Sequence, residues 1–125
     1  MNIPSNLKYT KSDEWLDPAT GKMGLTDYAQ DQLSDIVFVE ALVDADDEIA
    51  VGDGISEVES VKASAEVYAS ASGTVTAINE DLEDSPEVIN SDPYGAGWLI
   101  QVEINEESDE LMDPAAYEKY CADRD

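Results

Sequence analysis

The chain has 125 residues, 42% of them apolar, and 30 acidic against 6 basic side chains give it a formal net charge of −24. That charge rules against nucleic acid and disfavours anionic membrane surfaces, since both present negative charge of their own. There is no histidine and one cysteine, Cys121, which excludes a His-based metal site, a histidine-dependent triad and an intramolecular disulfide.

The length suits one domain, residues 1–125, able to bury roughly two thirds of its unfolded surface. Residues 1–6 read as a loose arm. Leu7–Thr10 and Glu14–Leu16 read as short strands, with Asp17-Pro18-Ala19-Thr20-Gly21 as a turn before a strand at Lys22–Leu25. Thr26 can cap a short helix with Asp27 in its first turn, where the helix dipole favours an acid. Ala29 and Leu33, four apart, then face the core. Ile36–Val39 is a continuous apolar run and reads as a strand buried on both faces. Val51-Gly52-Asp53-Gly54 is a turn or bulge, followed by strands at Gly54–Ser60 and Ala63–Tyr68. Gly73–Ile78 is a further strand, and Ser85 is expected to cap a helix with Pro86 at its first position. Trp98, Ile100, Val102 and Ile104 alternate with Leu99, Gln101 and Glu103, the pattern of a half-buried strand. Asp113-Pro114 starts a last helix whose inner face carries Tyr117 and Cys121. Acid is concentrated in 44–48, 80–84 and 106–110. Solvated loops account for such runs, as does steering towards basic surfaces of larger proteins or adaptation to a salty cytoplasm.

Lys62 lies between the two strands of 54–68, in Glu59-Ser60-Val61-Lys62-Ala63. A two-residue connection normally needs Asn-Gly or Gly-X, because the favoured tight turns require positive φ. Val61-Lys62 contradicts that preference, and such local conflicts concentrate at functional sites. No neighbour activates this amine as a nucleophile, so its use is as an attachment point held out to other molecules.

The order of motifs along the chain carries more. Lys8-Tyr9-Thr10, Glu14-Trp15, Gly24-Leu25-Thr26-Asp27-Tyr28-Ala29-Gln30, Asp35–Glu40, Glu59–Ala63, Tyr68-Ala69, Ser72-Gly73, Asn79-Glu80, Asp84-Ser85-Pro86-Glu87, Asp92-Pro93-Tyr94-Gly95 and Gly97–Ile100 follow one another, and Ala116-Tyr117-Glu118 closes the series. This succession, over residues 7 to 120, resembles the H-protein family of the glycine cleavage system. The resemblance implies a mainly β fold, the lipoyl/biotinyl barrel-sandwich hybrid with a few short helices including one at the C-terminus. It makes Lys62 the site of covalent lipoate attachment, with Glu59, Ser60, Val61 and Ala63 as the flanking motif. Implied partners are a pyridoxal-phosphate glycine decarboxylase (P protein), a tetrahydrofolate-dependent aminomethyltransferase (T protein), dihydrolipoamide dehydrogenase (L protein) and a lipoate ligase or lipoyl/octanoyl transferase. The chain is then a carrier and not an enzyme: the cofactor supplies the chemistry and the protein its presentation. The resemblance also implies a cleft that shelters the cationic aminomethyl-loaded arm, with Ser12, Glu14 and Glu66 at the matching positions.

The chain departs from the family pattern at Asp13 (usually His), Gln32 (often His), Ser34 (usually Gly), Ala41-Leu42 (commonly Leu-Pro) and Ala71 (commonly Val or Ile). An alternative role is a lipoyl relay that donates the group to 2-oxoacid dehydrogenases. A biotin carrier is disfavoured, because Val61 and Ala63 stand where such acceptors resemble Met-Lys-Met. Met1 leads into Asn2-Ile3-Pro4-Ser5 without a basic start or an apolar signal core, so a prokaryotic cytoplasm is expected, or a mitochondrial matrix if a presequence has been removed.

Overall fold

A computed structural model describes residues 1–124 of the chain. Nine strands form two antiparallel sheets: β1 (Lys8–Tyr9), β2 (Glu14–Leu16), β3 (Lys22–Leu25), β4 (Ile36–Ala41), β5 (Glu48–Ile49), β6 (Gly54–Ser60), β7 (Ser64–Tyr68), β8 (Ala71–Ile78) and β9 (Ile100–Glu107). The larger sheet runs β1-β2-β3-β9-β8-β5 and the smaller β4-β6-β7. They pack face to face as a sandwich. Ile36, Val39, Ile55, Val58 and Val67 of the small sheet meet Leu16, Met23, Val75, Ile100 and Val102 in one buried core, the expected outcome of period-2 alternation. No helix among the described residues is long and apolar enough to cross a membrane.

Helix α1 (Asp27–Leu33) begins as expected: Thr26 Oγ1 accepts from the Ala29 amide. Helix α3 (Pro114–Arg124) begins with Asp113 Oδ1 accepting from the Ala116 amide at 2.7 Å. Both starts are encoded within four residues, so they are legible locally.

Four expectations need correction. The run Ile36–Val39 is not buried on both faces: Ile36 and Val39 are buried, but Val37 and Phe38 are 53% and 46% exposed. The cause is a register irregularity between Ile36 and Phe38 on an edge strand, which breaks the alternation and turns two apolar residues outwards. Ser85-Pro86 does not open a helix. It forms a turn in which the Ser85 carbonyl accepts from the Val88 amide, and helix α2 starts only at Val88 (Val88–Ser91). Leu99, expected on the solvent side of its strand, is buried, because the strand proper begins at Ile100. Residues 1–6 form neither helix nor strand, yet they are tied down. Asn2 N–H donates to Asp27 and its carbonyl accepts from Tyr94 Oη, while Tyr9 Oη donates to the Pro4 carbonyl at 2.6 Å.

A second apolar cluster of Leu7, Tyr9, Trp15, Tyr117 and Cys121 lies under α3, with the Tyr9 and Tyr117 rings stacked at 4.6 Å. Trp15 locks β2 in place. Its ring lies over Gly24, where an added Cβ would sit 2.8 Å from the indole, and its Nε1–H donates to the Pro93 carbonyl at 3.0 Å. The residue before it, Glu14, is thereby held in register.

Candidate functional site

The β6–β7 hairpin ends in a tip built by one side chain. Ser60 N–H donates to the Ala63 carbonyl at 2.7 Å. The Ser60 hydroxyl accepts from the amides of Lys62 (3.1 Å) and Ala63 (3.0 Å) and lies 3.1 Å from the Ala63 carbonyl. A hydroxyl thus takes the place of the usual backbone acceptor, and neither Val61 nor Lys62 has positive φ. This resolves the conflict between the Val-Lys dipeptide and the tight turn, through the tendency of serine to bond backbone two and three residues on. The tip is tied to the rest of the fold by Val61 N–H donating to the Asp35 carbonyl at 3.0 Å. Lys62 and Val61 are both exposed.

Among the described residues, Lys62 makes no ion pair with any carboxylate. Its Nζ has one polar neighbour, the Gln32 carbonyl at 3.5 Å in the last turn of α1. That turn carries no basic residue of its own, so the ammonium lies at the negative end of a helix dipole. The contact is long and exposed and holds the side chain weakly.

The far end of β7 meets a cleft of about 430 Å³, bordered by Thr10, Ser12, Glu14, Gly52, Tyr68 and Ser108 among others. Gly52 adopts φ +91 at its lip, a conformation that glycine takes without strain. Glu14 is 2% exposed. Its Oε1 accepts from Thr10 Oγ1 (2.5 Å) and Ser12 Oγ (2.6 Å), and its Oε2 from the Tyr68 amide (3.3 Å). Burial pushes the Glu14 carboxyl above the usual glutamate range, against the pull of these three hydrogen bonds, and the charge of Asp13 adds to the rise. The result is a buried acceptor with its donors already arranged, at the wall of an open cleft.

The structure brings Ser12 and Glu14 together in this cleft. Glu66 lies elsewhere: it is exposed on the outer face of β7, its carboxyl over Gly54 of the neighbouring strand. There it belongs to a cross-strand row, Glu40 opposite Glu57 opposite Glu66, with Glu59 one step nearer the tip. Like charges directly opposite are unfavourable in a sheet, so this row is an electrostatic feature of the face that leads to Lys62. Sequence reasoning missed Thr10 and the Tyr68 amide as partners of Glu14. A Thr-x-Ser-x-Glu spacing before a strand was the signal for Thr10; the Tyr68 amide, 54 residues away, had none.

The model of the family described as "Glycine cleavage H-protein" matches residues 7–124. A glycine cleavage system H protein of Deinococcus deserti is 47% identical over 118 residues, covering 94% of this chain and 97% of the relative. One of Psychrobacter cryohalolentis is 61% identical over 81% of this chain and 82% of the relative. A probable one of Haloarcula marismortui is 47% identical over 94% of each. Among solved structures, a glycine cleavage system H protein from Mycobacterium marinum superposes with a TM-score of 0.86 at 33% identity, covering 98% of both chains.

Proposed function

From the premise that this chain belongs to the glycine cleavage H-protein family, we propose that Lys62 is its lipoate attachment site. We further propose that the chain carries an aminomethyl group from a pyridoxal-phosphate glycine decarboxylase to a tetrahydrofolate-dependent aminomethyltransferase, with dihydrolipoamide dehydrogenase restoring the carrier. The observation that carries this reading is the presentation of Lys62. An exposed amine, without a carboxylate partner among the described residues, sits on a tip shaped by Ser60 and anchored at Asp35.

The residues fit the group. Amide formation at Nζ abolishes the ammonium charge, and among the described residues no ion pair would be left unsatisfied by this. The Gln32 carbonyl, released from a 3.5 Å contact, faces solvent at little cost. When bound, lipoate supplies a dithiolane that is reduced, loaded and reoxidised. The protein's share is presentation, a high local concentration of cargo near each partner, and shelter. Glu14 offers a carboxylate in a recess, suited to an ammonium cargo through a charge-assisted hydrogen bond, and Thr10 and Ser12 orient it. The carboxylate row Glu40–Glu57–Glu66 favours approach by basic enzyme surfaces. The reactions run on the partner enzymes, and the chain carries the cargo between them.

The test is attachment itself. Incubation with lipoate ligase, lipoate and ATP should add one lipoyl mass, mapped to Lys62. Lys62→Arg keeps the charge and should accept nothing and support no glycine-dependent carbon dioxide exchange. Modification at another lysine overturns the assignment.

A further inference from the structure

Asp13 occupies a position with φ +72, in the left-handed region that aspartate tolerates better than most residues. Its backbone closes the turn 10–13 by donating to the Thr10 carbonyl, and its own carbonyl accepts from the Thr26 amide. Its carboxylate reaches the far end of the chain. Oδ1 accepts from Arg124 Nη2 at 2.7 Å and from Tyr117 Oη at 2.9 Å, and Oδ2 from Arg124 Nη1 at 3.2 Å. The Arg124 guanidinium is 4.1 Å from the centroids of both the Tyr28 and Tyr120 rings. Tyr120 Oη donates to the Lys11 carbonyl at 3.0 Å.

The last turns of α3 therefore grip residues 11 and 13. Ser12 lies between them, and Thr10 closes the same turn. These two residues supply the hydroxyls that hold Glu14. An exposed single ion pair contributes little to stability, but this one is two-pronged, its arginine is clasped against two rings, and its side chains are only 26% and 18% exposed.

We infer that Arg124 is a positioning residue for the cleft: through Asp13, 111 residues away in sequence, it holds the 10–13 turn closed over Glu14. The inference rests on the proposed role of the cleft, but its first readout does not require a loaded arm. With the latch opened, Thr10 and Ser12 leave Glu14 and water enters. Other charged groups on the cleft are Lys11 and Glu110, which the substitutions below leave in place.

The experiment uses the full unmodified chain. Amide hydrogen exchange at Glu14, whose N–H donates to Thr10 Oγ1, and at Tyr68 should accelerate at least ~10-fold in Arg124→Ala, with exchange at Val75 of the core unchanged. The Glu14 carboxyl, followed by carbon NMR, should change its titration in Arg124→Ala and, to a smaller extent, in Tyr120→Phe. The second variant removes no charge, so a change there reports movement of the turn and not loss of the cation beside Asp13. Arg124→Lys, which keeps the charge but not the fork, should fall between. Asp13→Asn tolerates the positive φ and breaks the same pair, so the double variant should be no worse than the stronger single one. Tyr120→Phe deletes the bond to Lys11 and keeps the ring; it should show a smaller change in the same direction. Unchanged exchange at Glu14 and Tyr68, a Glu14 titration that moves in Arg124→Ala but not in Tyr120→Phe, or acceleration spread equally to Val75 would overturn the inference. If the changes occur in the unmodified chain yet the loaded arm decays at the wild-type rate, positioning stands and the sheltering role falls.

Discussion

Lys62 precedes β7 and Glu14, on β2, meets the Tyr68 amide at the other end of β7, and the protein treats the two in opposite ways. Among the described residues Lys62 has no ion-pair partner; it is exposed, its single polar contact there stretched to 3.5 Å. Glu14 is 2% exposed and gripped by two hydroxyls and an amide. At the tip the backbone is fixed and the side chain left free; at the cleft the side chain itself is fixed. On the proposed reading the carrier needs both, because an attachment point must reach several enzymes while a shelter must be ready before the cargo arrives. Preorganisation of this kind lowers the cost of binding by ordering the groups in advance.

The largest expected effect comes from moving the free end. With residue 62 made Ala and lysine placed at 61 or 63, modification should be lost while circular dichroism stays unchanged. Efficient modification at either new place would show that exposure suffices and that the Ser60-built geometry is irrelevant. Ser60→Ala leaves Lys62 in place but removes the acceptor for two amides. Modification should slow about tenfold and stability fall by about 1 kcal/mol, read from lipoylation rates and urea unfolding.

At the fixed end, Glu14→Gln should speed release of formaldehyde and ammonia from the aminomethyl-loaded chain several-fold, from a charge-assisted bond of about 1.5–3 kcal/mol reduced by the open cleft. High salt should erode the wild-type advantage. The same variant reports the cost of burying the carboxyl. Because burial raises its folded value, the native chain binds that proton more tightly than the unfolded chain. That contribution is full below the unfolded value and is lost as pH rises through the folded one. Stability of Glu14→Gln relative to wild type should therefore climb as pH rises above about 4.3. A difference independent of pH would mean that the carboxyl is not desolvated.

The smallest effect concerns the helix end beneath Lys62. Ser34 has φ 66 and ψ −154, a region favourable only to glycine. Ser34→Gly should stabilise the chain by about 1 kcal/mol without altering modification of Lys62, which depends on the tip. A change in modification rate would make the α1 end part of what the modifying enzyme reads.

What could be read from the sequence was what is encoded within a few residues. Thr26 and Asp113 cap helices through bonds three residues long, and Ser12 and Glu14 meet two residues apart. The unusual turn at Val61-Lys62 was legible because Val-Lys conflicts with a tight turn, although Ser60 as the solution was not foreseen. The exposure of Val37 and Phe38 depends on an irregular pairing with β6 and on β4 having no outer neighbour, neither of which apolarity records. Glu66 and Tyr68, two apart on β7, share its outer face, and Glu14 is reached by the backbone amide of Tyr68 and not by a side chain of that face. Asp13, noticed only as a departure, acquires its role from Arg124 at the other end of the chain.

The lone thiol gains a meaning from where it lies. Cys121 is fully buried in the cluster under α3, with Arg124 Nη2 3.3 Å from its sulfur. On the proposed lipoyl reading, an accessible thiolate would attack the disulfide of the oxidised arm, forming a mixed disulfide and releasing the arm's other sulfur as a thiol, an exchange that needs access to both partners. Enclosing its one cysteine keeps the carrier from capping its own oxidised arm in this way, so the arm stays available for loading.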